Sequence, residues 1–130
     1  MKGERRRREL VDLALVAAGA IPGALLRWQL DRLVQAAVIP LPPWCDSNLI
    51  ANLVGCLLIG VVLATPQRPR LFLWAGIGFC GSLTTFSSLM LQVSLALRSG
   101  RIAEALPMLL VPLAAGLLLT ALGARLGGRR

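Results

Sequence analysis

Long uncharged runs are the feature of this 130-residue chain that most constrains its fold. Hydrophobic residues make up 56% of the sequence and charged residues 15%, whereas soluble domains carry about 25% charged residues. The charged residues lie between or at the ends of the apolar runs, and about 20 consecutive apolar residues cross a bilayer core. The sequence therefore predicts an all-α integral membrane protein, a single domain with four spans at about 11–31, 47–65, 71–97 and 105–124.

Short connectors separate the four spans. The stretch between spans 1 and 2 contains Pro40, Pro42 and Pro43, which favour a turn over a folded domain. Residues 65–70 and 98–104 predict two further tight loops. Because these connectors leave no room for an extramembrane domain, we expect the function to reside within the membrane.

The first span has a basic N-terminal flank and therefore resembles the start of a secretory signal peptide. A signal peptide has a shorter apolar core that ends in a small-residue cleavage site. Here Pro22, Arg27 and Trp28 occupy that region instead. We therefore expect span 1 to be retained, with Arg27 tolerated at or inside its far end.

The distribution of basic residues predicts the orientation of the spans. Four spans put the N-terminal tail, the second connector and the C-terminal tail on one side of the membrane, with ten basic residues, and leave four on the other side. Since Lys and Arg are enriched in cytoplasmic loops, we expect a plasma-membrane protein with both termini in the cytoplasm. The ten are Lys2, Arg5, Arg6, Arg7, Arg8, Arg68, Arg70, Arg125, Arg129 and Arg130, and the four are Arg27, Arg32, Arg98 and Arg101.

The basic character of the chain does not require a nucleic acid partner. A formal net charge of +8 and a run of arginines at 5–8 are features found in chains that bind nucleic acid. Basic clusters beside a span are also attracted to anionic lipid headgroups, which is sufficient to explain this run. We therefore expect membrane lipid, and no nucleic acid, among the partners.

The composition excludes several kinds of catalytic and metal chemistry. The chain contains no His, and Cys45, Cys56 and Cys80 are too scattered for a disulfide framework or a zinc site. Asp12 and Glu104 lie at the ends of spans, whereas proton-coupled drug exporters of similar size need an acid within a span. These features favour a protein that is neither an enzyme nor a proton-coupled exporter.

Span 2 carries Asn48 and Asn52 four residues apart, with Gly55 on the same helical face. One interpretation is helix–helix contact, because amides bond between helices in lipid and small residues permit close approach. The other interpretation is function, because polar groups inside a membrane commonly mark an ion pathway. Both interpretations remain open from the sequence.

Span 3 contains an unusual segment, GIGFCGSLTTFSSLMLQ, from Gly76 to Gln92. A glycine in a regular helix costs about 1 kcal/mol relative to alanine, and the run 71–97 is longer than one straight crossing needs. We therefore predict a broken helix whose freed carbonyls and amides face protein, water or an ion. The alternative is an unbroken helix whose hydroxyl groups pack tightly against its neighbours.

Arg27 is the only basic residue well inside the register of a span. By default its long side chain extends to the membrane interface beside Trp28. The functional alternative is a cation at the mouth of an anion pathway.

Three segments together resemble one known family. GFCGSLTTFSS at 78–88 closely resembles the GFCGGLTTFST signature of the Fluc/CrcB fluoride channels, which is long and specific. NLVG at 52–55, followed by Gly60, resembles the second-span pattern of that family, and GALLRW at 23–28 resembles its first-span element. The order and spacing agree over essentially the whole chain, so the sequence is identified as a member of this family.

The resemblance implies antiparallel dimers of four-span subunits that enclose two narrow pores and export fluoride passively, lowering its cytoplasmic concentration. Asn52 would contact fluoride, Phe86 would be one of two pore phenylalanines, and Arg27 would make the pore mouth electropositive. Further candidates for lining the pore or supporting the break are Thr85, Ser87 and Ser88.

The resemblance also implies one cofactor, a structural sodium ion at the dimer centre. Backbone carbonyls of Gly81 and Thr84 would hold this ion. Carbonyl oxygens released at a helix break suit a hard cation, which needs no soft side-chain ligand.

The chain departs from the family pattern at three places. Leu89 replaces the second pore phenylalanine, Ser82 replaces the second glycine of a pair, and Thr120 is the only polar residue within span 4. We therefore expect that two copies of this chain need not form a complete pore. The positions of the polar track usual in span 4 are occupied by Glu104, Met108, Pro112 and Gly116.

The ten-to-four distribution of basic residues bears on the identity of the second subunit. An antiparallel homodimer requires one sequence to insert in both orientations, whereas a strong bias should fix one orientation. We therefore expect an oppositely oriented paralogue as the partner. Two alternatives stay open: a homodimer in which the bias is overridden during insertion, and a small four-span transporter or non-conducting partner subunit on the same scaffold.

Overall fold

The computed structural model describes residues 2–36, 45–65 and 68–128. Within these ranges the backbone is helical apart from short connections, and no strand is formed. The helices are α1 (Lys2–Gln35), α2 (Ser47–Ala64), α3 (Pro69–Leu71), a π-helix (Phe72–Cys80), α4 (Gly81–Leu83), α5 (Phe86–Arg98) and α6 (Ile102–Gly127).

Four helical stretches of the described residues are long and apolar enough to cross a membrane, which confirms the predicted all-α, four-span architecture. The predicted turn at Pro40, Pro42 and Pro43 lies outside the described residues, as do Arg129 and Arg130. The four stretches are Gly3–Gln35, Ser47–Ala64, Pro69–Arg98 and Ile102–Gly127.

The first helix is longer than the predicted first span, because it continues through the N-terminal tail. Its 34 residues extend over about 51 Å, whereas a bilayer core is about 30 Å thick. In the tail, Arg5 Nε donates to Glu9 Oε1 at 3.0 Å, an exposed ion pair one turn apart. Pro22 lies inside α1 without ending it. The basic tail is therefore a helical extension of span 1.

Glycines bring two pairs of helices into close contact. α2 packs most extensively on α6, and α1 packs on the π-helix. A Cβ at Gly60 of α2 would overlap the carbonyl oxygen of Thr120, and a Cβ at Gly78 of the π-helix would press on the carbonyl oxygen of Val16. Close approach of the helices therefore explains glycine at these positions.

The third span contains an extended segment near its middle. Helical backbone runs from Pro69 to Leu83, after which Thr84 (φ −84°, ψ 152°) and Thr85 (φ −146°, ψ 120°) are extended, and α5 begins at Phe86. The length of this span and its glycines led to the prediction of a broken helix. In the structure the three glycines lie in helical turns before the extended segment, and at least one of them serves close packing.

The buried core of the subunit is small. Leu83 is the largest fully buried side chain, whereas Leu117 and Leu118 of α6 are 73% and 72% exposed. Soluble monomers rarely show large contiguous apolar patches. The surface of this subunit is therefore suited to lipid and to contact with further protein.

Candidate functional site

A groove of about 400 Å³ runs between α2, the third span and α6. Its polar part is formed where Asn52 of α2 faces the extended residues Thr84 and Thr85. Most of the remaining lining is apolar and includes Ile59, Leu89, Leu113 and Leu117.

The Asn52 side chain bonds to both backbone polar groups of Thr85. Asn52 Nδ2 donates to the Thr85 carbonyl oxygen at 2.9 Å, and the Thr85 N–H donates to Asn52 Oδ1 at 2.6 Å. Backbone groups in a membrane must be satisfied by protein, and an extended residue cannot use the helical hydrogen-bond pattern. Asn52 therefore stabilises the extended segment from a helix that is 33 residues away in sequence.

The pairing with Asn52 changes the hydrogen bonding of the residues before Thr85. In a continuous α-helix the Thr85 N–H would donate to the Gly81 carbonyl, but here it donates to Asn52. The N–H and hydroxyl of Thr84 both donate to the Cys80 carbonyl oxygen, at 3.0 and 2.9 Å. The Gly81 carbonyl is thus released from the helical pattern, and Gly81 and Thr84 both line the groove.

Phe86 and a cluster of hydroxyl groups stand at the start of α5. Phe86 lines the groove and is 59% exposed. The Thr85 hydroxyl oxygen lies 3.1 Å from Ser87 Oγ and 3.4 Å from Ser88 Oγ. Ser87 and Ser88 do not line the groove themselves, so they connect to the site through Thr85.

Arg27 does not reach the groove. It is half-buried on α1, and α1 contributes no residue to the groove lining. The cation–π contact of Trp28 is made by Arg32, whose Cζ lies 4.9 Å from the ring centroid. Within one subunit, the structure therefore separates Arg27 from the other predicted pathway residues.

Ser82, which stands where the family pattern has glycine, links two helices and does not line the groove. Its hydroxyl donates to the Ala20 carbonyl oxygen of α1 at 2.9 Å and lies 3.1 Å from the Phe79 carbonyl oxygen. Gly23 of α1 leaves space for this hydroxyl, since a Cβ at position 23 would overlap it. A glycine on the facing helix thus accommodates the larger residue.

The α6 wall of the groove offers an apolar surface. Pro112 and Leu117 line it, and the Thr120 hydroxyl donates to the Gly116 carbonyl oxygen of its own helix at 2.9 Å. Leu89 faces the same groove from α5. The structure therefore places two departures from the family pattern, in span 4 and at Leu89, in the lining of the same groove.

The sequence pattern did not indicate a polar cluster at the start of α2, which we name the Asp46 cluster (Asp46, Asn48 and Gln92). Asp46 caps α2, because its Oδ1 accepts a hydrogen bond from the Leu49 N–H at 2.8 Å. Its Oδ2 accepts hydrogen bonds from Asn48 Nδ2 and Gln92 Nε2. An aspartate just before an apolar helix signals a cap, but its contact with Gln92, 46 residues away, leaves no signal in the sequence.

Comparison with known proteins identifies the family of this chain. A family model described as CrcB-like protein, Camphor Resistance (CrcB), matches residues 14–124. The chain is 45% identical over 121 residues to fluoride-specific ion channel FluC 2 of Synechococcus sp. (strain CC9902), covering 93% of this chain and 83% of that relative. It is 40% identical over 118 residues to fluoride-specific ion channel FluC of Neisseria meningitidis serogroup C (strain 053442), covering 91% of this chain and 96% of that relative. Both relatives are named as ion channels and not as enzymes. These matches confirm the resemblance found in the sequence: the chain belongs to the CrcB-like family.

Proposed function

We propose that this chain is a subunit of a fluoride-specific channel that exports fluoride passively and so lowers its cytoplasmic concentration. Its membership of the CrcB-like family and the names of its relatives support this proposal. The observation that carries it is the pairing of Asn52 with the extended residue Thr85 inside the groove.

The donors around this pair suit a small, strongly hydrated anion, because a pore must replace the water around fluoride. Asn52 uses one of its two amide protons on the Thr85 carbonyl, which leaves the other for an ion. The Thr85 hydroxyl is a further donor, and Phe86 has a positive ring edge to present to an anion. No Asp or Glu occurs among the described residues that line the groove, so an anion there meets no repelling carboxylate.

Three further residues would act at the periphery of this pathway: Ser87, Ser88 and Arg27. The two serine hydroxyls contact the Thr85 hydroxyl. They would either orient that hydroxyl or donate hydrogen bonds to the ion as it passes. Arg27 lies on α1 outside the groove, so its proposed role is to make the pore mouth electropositive and not to contact the ion inside.

The proposed active unit is an antiparallel dimer with two pores. The groove opens to the side of the subunit, and its α6 rim exposes Leu117. A second subunit on this face would close the groove and cover the exposed apolar surface. In this arrangement the third span acts as a broken helix, with Thr84 and Thr85 at the dimer centre.

The proposed dimer would hold a structural sodium ion between the two extended segments. The family resemblance implies the carbonyls of Gly81 and Thr84 as its ligands. Among the described residues, no group of three or more His, Cys, Asp or Glu offers a side-chain alternative. This donor set fits a hard cation, because the Gly81 carbonyl is released from the helical pattern beside Thr84. Two carbonyls do not surround an ion, so an equal pair from the second subunit would complete the site. The ion would supply positive charge that holds the subunits together.

A second candidate function is that of a partner subunit whose own groove conducts poorly. The apolar α6 wall and Leu89 favour this function, because they leave that side of the groove without donors. The ten-to-four distribution of basic residues predicts one orientation with cytoplasmic termini. An oppositely oriented paralogue would then complete the dimer. A small transporter on the same four-span scaffold is the remaining alternative.

Fluoride efflux from proteoliposomes tests these proposals. The chain is reconstituted alone and together with a paralogue, and rapid efflux that is lost in Asn52→Asp supports the channel. Ser99→Ala is the control, because the Ser99 hydroxyl is exposed, bonds only to the Leu95 carbonyl oxygen of its own helix and does not line the groove. Efflux only with the paralogue would assign the partner-subunit function, and permeation of organic cations would favour a transporter. Absence of fluoride efflux in both preparations would contradict the proposal.

A further inference from the structure

The carboxylate of Asp46 gathers hydrogen-bond donors from two helices. The Leu49 N–H and Asn48 Nδ2 donate from α2, at 2.8 and 3.1 Å, and Gln92 Nε2 donates from α5, at 2.5 Å. Asp46 and Gln92 are both half-buried. A hydrogen bond from an amide to an ionised carboxylate is stronger than one between neutral groups. The contact between Asp46 and Gln92 is therefore a strong link between α2 and α5.

The fifth helix has few other connections to α2. The extended residues Thr84 and Thr85 separate α5 from α4, so the helical hydrogen bonds of the earlier part of the span do not continue into α5. α5 packs mainly on α6 and only slightly on α2. Its polar connections to α2 are the pair of Asn52 with Thr85 and the contact of Asp46 with Gln92.

These two connections lie at different heights along the helices. Thr85 and Gln92 are two turns apart, about 10 Å along the helix axis, and Asn52 and Asp46 are separated by a similar distance along α2. A second connection two turns from Thr85 limits rotation and tilt of α5 relative to α2, in addition to the packing of α5 on α6. Phe86, which lines the groove, lies between the two connections on α5.

We propose that Asp46 is a positioning residue that acts through Gln92 to hold α5, and with it Phe86, in place against α2. Its effect on ion flux rests on the proposed channel function, whereas the contact itself does not. Asp46 does not line the groove, so it acts on the geometry of the pathway and not on the ion.

Capping of α2 is a separate role of Asp46 that the experiment must distinguish. The cap uses Asp46 Oδ1, whereas Asn48 and Gln92 bind Oδ2. Asparagine at position 46 keeps an oxygen for the cap and gains an amide donor, and a substitution at Gln92 leaves the cap untouched. Exchanging the carboxylate and the amide between these two positions therefore tests the contact and preserves the cap.

The test uses the full chain in liposomes, together with the paralogue where efflux requires it. Gln92→Glu sets two carboxylates against each other, so we expect fluoride efflux to fall about ten-fold and hydrogen–deuterium exchange of the α5 amides to rise about ten-fold, with α1 unchanged. The double variant Asp46→Asn with Gln92→Glu restores the pair in reverse, and both quantities should return to within about three-fold of the wild type. Asp46→Asn alone keeps the cap but replaces the Oδ2 acceptor with an amide donor that faces the Gln92 amide, so we expect efflux to fall and α5 exchange to rise, each by less than in Gln92→Glu.

Two results would overturn the proposal. One is unchanged hydrogen–deuterium exchange of the α5 amides in Gln92→Glu. The other is a double variant whose efflux and exchange differ from the wild type as much as those of Gln92→Glu. If Gln92→Glu does not assemble, Gln92→Met gives the deciding measurement, because it has a similar length and lacks the donor. Faster α5 exchange in Gln92→Met supports the contact, and unchanged exchange overturns it. Absence of efflux from the wild type contradicts the proposed function and leaves the contact testable, because the exchange measurement requires no flux.

Discussion

Gly55 of α2 lies so close to Thr84 that a Cβ at position 55 would overlap the Thr84 methyl group. Three residues earlier on the same helix, Asn52 pairs with the backbone of Thr85. Asparagine has a short side chain, so it reaches the backbone of the third span only because the two segments approach closely here. The geometry of the groove thus depends on a residue that has no side chain.

Gly55→Ala should force α2 away from the extended segment. We expect a loss of about 1–3 kcal/mol in the free energy of unfolding, as is usual for overpacking, and a reduced fluoride efflux. Thermal unfolding in detergent and the efflux assay measure the two effects. Adding Thr84→Ser removes the overlapping methyl group and keeps the hydroxyl that bonds to Cys80, so the double variant should recover much of the stability. A double variant no more stable than the single one would contradict the contact.

Asn52→Ala should leave both backbone groups of Thr85 without their partner. A buried unsatisfied group costs about 1–3 kcal/mol, so we expect a clear loss of stability in addition to a loss of fluoride efflux. Asn48→Ala removes an amide from the same helix without touching Thr85 and should have the smaller effect on unfolding. Equal effects at the two positions would show that Asn52 has no special part in holding the extended segment.

Ser82→Ala should weaken the contact between α1 and α4. The variant removes the hydrogen bond to the Ala20 carbonyl oxygen, and we expect a loss of about 0.5–1.5 kcal/mol in the free energy of unfolding. Ser99→Ala is the matched control, because the Ser99 hydroxyl is exposed and bonds only within its own helix turn, to the Leu95 carbonyl oxygen. A smaller loss for Ser82→Ala than for Ser99→Ala would be inconsistent with a link between helices.

Replacement of sodium by a large organic cation should lower the stability of the dimer. If the carbonyls of Gly81 and Thr84 hold the ion, each ten-fold rise in sodium above its Kd adds about 1.4 kcal/mol by mass action. Dimer dissociation in detergent, measured as a function of sodium at constant ionic strength, gives this dependence. A dimer that is indifferent to the exchange of cations would remove the sodium site from the proposal.

Expression of this chain without a paralogue in a fluoride-sensitive cell tests whether the second subunit is a paralogue or another copy of the same chain. We expect no full rescue of growth, because the basic residues favour one orientation and an antiparallel dimer needs two. Labelling of the two termini should then occur from the cytoplasmic side alone. Full rescue by the single chain, with its termini labelled from both sides, would establish a homodimer.

The sequence alone was sufficient for the fold class and the family. Each span contains a long apolar run, and the signature at 78–88 is contiguous, so both can be recognised without knowledge of the contacts between helices. The same local information predicted an irregular span 3 but did not identify which of its residues are extended. Gly76 and Gly78 lie in the π-helix and Gly81 in α4, whereas the extended residues are Thr84 and Thr85, whose β-branched side chains favour extended backbone.

The sequence by itself determined the number of spans, because the transfer of about 20 apolar residues into lipid is decided within each segment. Only the tertiary structure decided the partners of the polar groups. Asn52 meets Thr85 and Asp46 meets Gln92 across separate helices, while Arg27 lies on α1, which contributes no residue to the groove. The physical reason is that a polar group in lipid must find a partner in protein, and which partner lies within about 3 Å depends on how the helices pack.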